Sequence, residues 1–334
     1  MKRLTIFAKC IAAAFPAIVL CAYTLLCPFG YMDSEYPAWR LKKEVAEGRK
    51  YAGERFDTVV LGDSVAMSSV IPEVLGDSVV SLACGGATSI EMYYYLSEYL
   101  KNHDAPDTVI ILFAPFHYWH IDNYKTRTVY FKAIDLKDLS GLYKNAYDCG
   151  ATSVIYDNVV TDEISSRLGL PNQYLPAIYA ARFTGRYDEN TASYEDLIST
   201  HGYGGFGNLT ECYDESYETS YEDMVIDGDA KLLTLYMQKI LRLCNENKIA
   251  VRLIQPAVNK ATFDNLGKHY YASYRNYIKQ LSGICDNIDY ETDLRVYDGR
   301  YFSDASHLNK EGALCYSGEI SEIGNNKEEE NAEH

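Results

Sequence analysis

The sequence lacks an excess of positive charge. Its 334 residues include 31 Lys and Arg against 47 Asp and Glu, which gives a formal net charge of −16 at pH 7. No patch rich in Lys and Arg with interleaved aromatic residues is present, and a strongly acidic chain repels phosphate backbones. The charge therefore argues against binding of DNA or RNA.

The sequence also lacks the CxxC spacing that is typical of structural zinc sites, so such a site is not expected. Six of the nine cysteines lie outside an apolar N-terminal segment, and in an oxidising compartment six thiols permit up to three disulfides. Several of them lie in apolar runs, which favours buried thiols instead, and no specific pairing is predicted. The six are Cys84, Cys149, Cys212, Cys244, Cys285 and Cys315.

Neither an internal repeat nor the low hydrophobicity of a disordered protein is present. Hydrophobic residues make up 47% of the chain and charged residues 23%, which is an ordinary globular composition. The exception is the acidic tail, residues 325–334, where nothing apolar could hold the chain to a core. We expect this tail to be disordered.

The N-terminal segment lacks a cleavage site. Three positive charges precede an uncharged stretch, residues 10–27, which as a helix is long enough to cross most of a hydrocarbon core. No small-x-small motif follows the stretch, and Leu26 is not the small residue expected before a lipidated cysteine. The pattern predicts an uncleaved single-pass anchor at residues 1–30, a polar helical connector at 31–54, and a remainder that lies outside the cytoplasm.

Short apolar runs bounded by glycine or proline are typical of buried parallel strands. Such runs predict four strands, and a fifth short strand is expected near the C-terminus. The runs are 56–61, 79–82, 108–113 and 249–254, with the fifth strand within 287–296.

Helical stretches alternate with these strands. Apolar residues recur every three or four positions at 90–100, 229–247 and 263–281, and a final helix is expected from Asn309. Parallel strands need such crossover helices, so the alternation predicts an α/β fold, a three-layer doubly wound parallel sheet within residues 55–324. Its ligand site is expected at the carboxyl ends of the strands.

Residues 116–227 do not follow the alternation. They are rich in Tyr, Asp, Ser and Gly, and they include the sequence HGYGGFGN at 201–208. We interpret them as one long insertion after the third strand that rises over the strand ends. The insertion is either a lid or substrate platform, or a structural elaboration without contact to the chemistry, and the sequence favours neither.

A candidate nucleophile directly follows the first strand. Gly62, Asp63 and Ser64 place a serine on a tight turn between strand and helix, where its oxygen faces the crevice. Amide groups at the start of the next helix favour negative charge that develops there. The triplet alone is weak evidence, because it also occurs by chance in turns.

A candidate acid/base pair precedes the last helix. Asp304 and His307 are three residues apart, so the carboxylate can bind one imidazole nitrogen while the other nitrogen faces a serine. The alternative is a helix N-terminus with an acidic cap and an incidental histidine. The two segments are stronger together, because the first and last strands are expected to bring both to one crevice.

With Gly-Asp-Ser at 62–64 and Asp-x-x-His at 304–307, the sequence resembles the SGNH/GDSL hydrolase superfamily over residues 56–322 outside the insertion. The resemblance implies a flavodoxin-like fold, no metal or other cofactor, and a triad in which His307, oriented by Asp304, activates Ser64. It also implies an oxyanion hole made by the backbone amides of Ser64 and Gly86, with Gly85 as the second candidate glycine.

One block of the superfamily is absent. Where Gly-x-Asn-Asp is expected after the third strand, residues 113–117 read FAPFH. The missing asparagine removes one oxyanion donor, and loss of such a donor typically costs about a hundredfold in rate. An efficient enzyme is therefore expected to contain a substitute donor.

Together with the anchor, this departure resembles exported proteins that assist O-acylation of cell-surface polymers, as in alginate acetylation and teichoic-acid D-alanylation. The resemblance implies an extracytoplasmic, membrane-anchored serine esterase or O-acyltransferase. Its substrate would be a cell-surface glycan or a small acyl ester, and its partner a multi-spanning membrane O-acyltransferase. The alternative is a polymer-binding or scaffold protein whose catalysis is vestigial, and the choice between hydrolysis and transfer stays open.

Several polar and aromatic residues are candidate substrate contacts. Those after the third strand could stack a sugar, supply the missing donor, or pack the insertion onto the sheet. A metal site made by His117, His120 and Asp122 is set aside, since serine chemistry needs no metal. The candidates are Asp63, His117, Trp119, His120, Gln255 and Asn259, with Arg252 beside them.

Overall fold

The computed structural model describes residues 2–26, 33–168, 183–206 and 227–332. The parts of the expected insertion at 169–182 and 207–226, and residues 27–30 of the expected anchor, lie outside the described residues. The helices are α1 (Lys2–Leu26), α2 (Tyr36–Ala46), α3 (Ser64–Ser69), α4 (Pro72–Leu75), α5 (Ser89–Asn102), α6 (Leu136–Cys149), α7 (Val159–Leu168), α8 (Arg186–Ser199), α9 (Gly228–Glu246), α10 (Lys260–Leu281) and α11 (Lys310–Ala332). The strands are β1 (Thr58–Gly62), β2 (Val79–Ser81), β3 (Thr108–Leu112), β4 (Ala250–Leu253), β5 (Ala257–Asn259), β6 (Ile288–Tyr290) and β7 (Arg295–Tyr297).

Five of the strands form a parallel sheet in the order β2-β1-β3-β4-β6. The middle strands β1 and β3 are in register from Thr58 opposite Thr108 to Gly62 opposite Leu112, and almost all their residues are buried. An α/β fold around a parallel sheet is thus confirmed, with each expected strand present. The small two-stranded sheet of β5 and β7 was not expected.

Helices pack in two groups around this sheet, as in a three-layer fold. Helix α11 packs on α3 and α4, while α5 packs on α2 and α9. The strand order reverses direction between β1 and β3, because β2 lies on one side of β1 and all later strands on the other. A crevice outside the strand ends forms at such a reversal.

Helix α2 corrects the expected polar connector at 31–54. Trp39, Leu41 and Val45 are at most 1% exposed and belong to the main hydrophobic core. The charged residues between them gave the segment a polar composition, although its apolar residues share one face of the helix. The folded unit therefore begins near Asp33 and not at residue 55.

The insertion lies between β3 and β4, as expected. Its described part contains a short 3₁₀-helix (Pro115–Tyr118), a turn of π-helix (Tyr124–Val129) and helices α6 to α8. Helix α6 packs on α9 and α8 packs on α2, so these helices extend the helical layer. Other parts of the insertion reach the strand ends, where Phe206 contacts His307.

The two ends of the chain were expected to be an anchor and a disordered tail. Among the helices in the described ranges, none combines the length and the hydropathy needed to span a bilayer. At the other end, helix α11 continues to Ala332, through most of the acidic tail for which disorder was expected. Glutamate is a good helix former, so the acidic composition of the tail does not oppose a helix.

Candidate active site

Ser64 lies at the carboxyl edge of the sheet, where β1 passes directly into α3. Gly62 ends the strand, Asp63 is the N-cap residue and Ser64 is the first residue of the helix. Ser64 is partly exposed, whereas its neighbours Asp63 and Val65 are buried. The turn therefore presents the hydroxyl oxygen to the crevice, as the sequence predicts.

The structure brings the two predicted segments together across 243 positions of sequence. The Ser64 Oγ lies 2.8 Å from the His307 Nε2. The His307 Nδ1 lies 2.7 Å from the Asp304 Oδ2. The three side chains form a continuous hydrogen-bonded chain from alcohol to imidazole to carboxylate, which is the arrangement of a serine triad.

The Asp304 carboxylate also organises its own loop. Its Oδ1 accepts hydrogen bonds from the backbone amides of Ser306 and His307, both at 2.8 Å. Partial burial opposes ionisation, but the hydrogen bond and charge interaction with His307, together with the backbone amides of Ser306 and His307, outweigh it and lower the pKa of Asp304 to about 2. Because α11 begins only at Lys310, Asp304 is not the cap of that helix, and the alternative reading of this segment is wrong.

Asn259 supports the same loop from behind. It is buried, its Oδ1 accepts from the Thr262 amide at the start of α10, and its Nδ2 donates to the Ala305 carbonyl at 3.2 Å. Asn259 was expected to contact substrate, and the structure places its side chain between α10 and the loop of Asp304 instead. A side chain after β5 faces this loop because β5 pairs with β7, next to the segment that leads to Asp304.

Asp63 is likewise a structural residue and not a substrate contact. It is fully buried, and its Oδ1 accepts from the amides of Val65 at 2.8 Å and Ala66 at 3.4 Å. Its Oδ2 accepts from the Ala114 amide at 2.7 Å and from the His117 Nδ1 at 2.5 Å. Two of the amides expected to face the nucleophile are thus used by Asp63, which ties α3 to the end of β3.

His117 is buried between two carboxylates. Its Nδ1 bonds Asp63 and its Nε2 lies 3.3 Å from the Asp122 Oδ1. Burial alone would lower the pKa of His117, but the hydrogen bonds to Asp122 and Asp63 raise it to about 9. Both ring nitrogens of His117 are thus engaged by carboxylates inside the protein, so neither is free for the expected contact with substrate.

Three further candidates lie away from the triad. Trp119 is 5% exposed and packs edge-on against Tyr270, where it lines a cavity between α9 and α10. His120 follows it on the same turn. Gln255 is fully buried, and its Oε1 accepts from the Tyr270 hydroxyl. Trp119 and Gln255 are therefore buried in the protein, and within the described residues no hydrogen bond links His120 to Ser64. Arg252 instead donates to the Ile320 carbonyl.

Gly85 and Gly86 form a tight turn next to the nucleophile. The Cys84 amide bonds the Gly62 carbonyl, and the Ala87 amide closes the turn onto the Cys84 carbonyl at 3.1 Å. Gly86 has φ +68°, as the third residue of a type II turn requires. The turn therefore places the predicted oxyanion glycines one strand away from Ser64.

Side chains from distant segments surround this turn, and no sequence motif points to them. Arg127 binds Glu35 through two hydrogen bonds of 2.5 and 2.6 Å. A Cβ at Gly86 would lie 2.8 Å from the Arg127 Cδ and 3.1 Å from the Asn123 Nδ2, and a Cβ at Gly85 would lie 3.1 Å from Glu35. Asn123 thus brings a side-chain amide to the glycine turn, although no asparagine follows β3 directly.

Phe206 is a further residue at the site that was not predicted from the sequence. Its ring stacks on the His307 imidazole, with centroids 3.9 Å apart and planes 10° from parallel. Phe206 belongs to the glycine-rich sequence at 201–208, which was noticed but not given a role. That motif is the one signal that could have pointed to it.

Two cavities differ in their relation to the triad. The larger one, about 290 Å³, is the cavity between α9 and α10, and no triad residue lines it. A much smaller apolar pocket of about 10 Å³ lies beside the triad, between Val65 on one side and Ala305 and Ser306 on the other. The smaller pocket adjoins the triad through Val65 and Ser306, the sequence neighbours of Ser64 and His307, but it has room for only about one water molecule.

Comparison with known proteins does not assign the chain to a family. The chain matches no protein-family model, and no curated protein is significantly similar to it. Within the described ranges, no group of three or more His, Cys, Asp or Glu side chains is arranged to hold a metal ion.

Proposed function

We propose that this chain is a serine esterase or O-acyltransferase of the SGNH/GDSL type that acts on acyl esters of cell-surface carbohydrate. The observation that carries the proposal is the hydrogen-bonded chain from Ser64 through His307 to Asp304, on a parallel α/β sheet. The side chains come from opposite ends of the sequence, and their alignment at hydrogen-bonding distances supports a reacting alcohol.

In the first half of the reaction, His307 Nε2 takes the proton of Ser64 as the Oγ attacks the ester carbonyl carbon. Asp304, ionised at neutral pH because its pKa is low, holds the imidazole by Nδ1 and stabilises the imidazolium that forms. The tetrahedral intermediate then collapses, the bond from carbon to the alcohol oxygen breaks, and His307 returns the proton to that oxygen. The acyl group remains on Ser64.

In the second half, water or a sugar hydroxyl attacks the acyl carbon and gives its proton to His307. The bond from that carbon to the Ser64 Oγ then breaks, and His307 returns the proton to Ser64. Water yields a free acid, whereas a sugar hydroxyl yields a new ester. Backbone amides of Ser64 and Gly86 are the proposed donors to the oxyanion, since the amides of Val65 and Ala66 bind Asp63.

The proposed location is the outer face of a membrane, with residues 1–30 as a single-pass anchor. The positive charges before the uncharged stretch at 10–27 support this orientation. A surface polymer is then the substrate within reach, and a multi-spanning O-acyltransferase is the proposed partner.

The decisive experiment replaces the nucleophile. Ser64→Ala is expected to abolish labelling of the full chain by a fluorophosphonate probe and to lower turnover of a small acetyl ester by roughly a thousandfold or more. Ser68→Ala is the matched control. It removes a buried hydroxyl from the same helix, where Ser68 bonds only the Val65 carbonyl, and it should keep both signals.

Turnover and labelling that persist in Ser64→Ala would reject the mechanism. A wild-type chain that is neither labelled nor active, yet binds a surface glycan with or without Ser64, would favour the alternative of a scaffold protein. The absence of the asparagine block after β3 is the feature that speaks for this alternative.

A further inference from the structure

The loop that carries Phe206 is fixed to the sheet and to the nucleophile helix. The Ser81 amide at the end of β2 donates to the His201 carbonyl at 2.9 Å, and the Gly204 amide donates to the Met67 carbonyl of α3 at 3.1 Å. These bonds come from the two elements that flank the candidate site. The loop is therefore a built part of the site.

A buried lysine adds a further link between this loop and the end of β2. Lys42 is fully buried in α2, and its Nζ donates to the carbonyls of Ser81 at 2.6 Å and Gly202 at 2.5 Å. Burial lowers the pKa of Lys42 to about 8. Gly202 has φ +95°, and a Cβ there would lie 2.2 Å from the Lys42 Nζ, so a glycine is required where the chain turns toward the triad.

Phe206 follows this anchored segment and covers one face of His307. Its side chain is 41% exposed although its ring stacks on the imidazole. A single exposed aromatic residue needs no explanation by itself. Here the same ring touches the group that must hand a proton to the leaving alcohol.

The direction of proton transfer decides which part of a substrate meets Phe206. His307 Nε2 protonates the alcohol oxygen that leaves, and later deprotonates the alcohol that enters, so both must lie next to this nitrogen. The carbonyl oxygen points instead to backbone amides. The alcohol side of the ester is therefore the side that lies near the ring stacked on His307.

We propose that Phe206 determines specificity for the alcohol, by giving a flat apolar surface to the ring of a sugar whose hydroxyl carries or accepts the acyl group. This inference rests on the proposed function. An aromatic ring presents a rigid face at small cost in side-chain entropy, and the C–H face of a pyranose is a flat apolar partner for it. The acyl group lies on the other side of the carbonyl carbon, away from the leaving alcohol.

The test compares esters that differ only in the alcohol, using the full chain. Methyl 6-O-acetyl-glucopyranoside and ethyl acetate share the acetyl group, while ethyl butanoate changes the acyl chain. Phe206→Ala is expected to lower kcat/KM for the acetylated sugar by about tenfold, a size typical of one stacking contact, mainly through KM. The ratio of ethyl acetate to ethyl butanoate should not change.

Two matched variants separate a flat surface from mere bulk. Phe206→Trp should restore activity on the acetylated sugar, whereas Phe206→Leu, which is apolar but not planar, should behave like Phe206→Ala. Equal losses on the sugar ester and on ethyl acetate would show that Phe206 only holds His307, and unchanged activity on all three esters would show no role. Either result overturns the inference while Ser64-dependent labelling still reports on the proposed function.

Discussion

The buried Asp63 carboxylate holds the turn that carries Ser64, by accepting hydrogen bonds from α3 and from the end of β3. Sequence reasoning placed Asp63 and His117 near the site, which is correct, but treated both as substrate contacts. Both residues follow strand ends at the carboxyl edge of the sheet, which explains why they lie near Ser64. Whether they are buried depends on which hydrogen-bond donors surround the Asp63 carboxylate. The carboxylate takes amides from α3 and from the end of β3 as well as the His117 imidazole, and no local pattern reveals that convergence.

The burial of His117 between Asp63 and Asp122 predicts a pH-dependent stability. The folded state raises the pKa of His117 to about 9 from an ordinary value near 6.5, so folding favours the protonated form. The stabilisation is fully present below about pH 6.5 and is lost as the pH rises to about 9, with a loss of up to about 3 kcal/mol. Urea unfolding of the wild type between pH 6 and 9.5 measures it.

His117→Asn isolates this effect. Asparagine can still donate to Asp63 but does not titrate, so the variant should be less stable at pH 6 and should lose the decline between pH 6.5 and 9.5. His120→Gln changes a neighbouring histidine that does not bond Asp63, and it should keep the wild-type decline. An unchanged pH dependence in His117→Asn would show that another group causes it.

At the scale of elements, the buried strands of the main sheet were predictable from the sequence. Helix α2, in which buried and charged residues alternate, and the very short strands β5 and β7 were not. Strands β1 and β3 are buried on both faces, so they are continuous apolar runs that stand out in the sequence. Helix α2 mixes buried Trp39 with charged residues, and its membership in the core depends on α5 and α8, which pack on it. Strands β5 and β7 have three residues each, too few for a periodic pattern.

Ser317 joins the last helix, α11, to the junction between α3 and α4. It is fully buried, its Oγ accepts from the Ile71 amide at 2.9 Å and donates to the Ser69 carbonyl at 3.0 Å. Ser317→Ala leaves a buried N–H and a buried C=O without this partner, which should lower the free energy of unfolding by about 2–4 kcal/mol. Urea unfolding at pH 7 checks the value.

Ser321→Ala is the control for this effect, because Ser321 lies one turn later on α11 and is only partly buried. It should change the free energy of unfolding by less than about 0.5 kcal/mol. If both variants are equally stable, the Ser317 bridge does not hold α11 to α3 and α4.

At the scale of the whole molecule, the sequence predicted that Ser64 and His307 lie close together, although they are far apart along the chain. Parallel strands share one carboxyl edge, so a serine after the first strand and a histidine before the last helix were expected at one crevice. The walls of that crevice were not predictable. Phe206, Asn123 and the Glu35–Arg127 pair reach it from the insertion and from the start of α2, through contacts that only the folded chain defines.

The boundary of the folded unit gives a last prediction, tested with two truncations. A chain that starts at Asp33 keeps α2 and should have the thermal midpoint and Ser64 labelling of the full chain, but should leave the membrane fraction if residues 1–30 are the anchor. A chain that starts at Arg55 lacks the buried residues Trp39 and Leu41 and the buried Lys42. Loss of one buried Trp side chain alone costs about 3–5 kcal/mol against a total stability of about 5–15 kcal/mol, so this chain should not fold.

Circular dichroism and fractionation of both truncations separate the two claims. Native far-ultraviolet spectra and a cooperative melt for the chain from Arg55 would show that α2 is peripheral and that the fold begins at β1. Retention of the chain from Asp33 in the membrane fraction would contradict the anchor without touching the active site. Since Lys42 also holds the loop before Phe206, the shorter chain is expected to lose the sugar preference together with the fold.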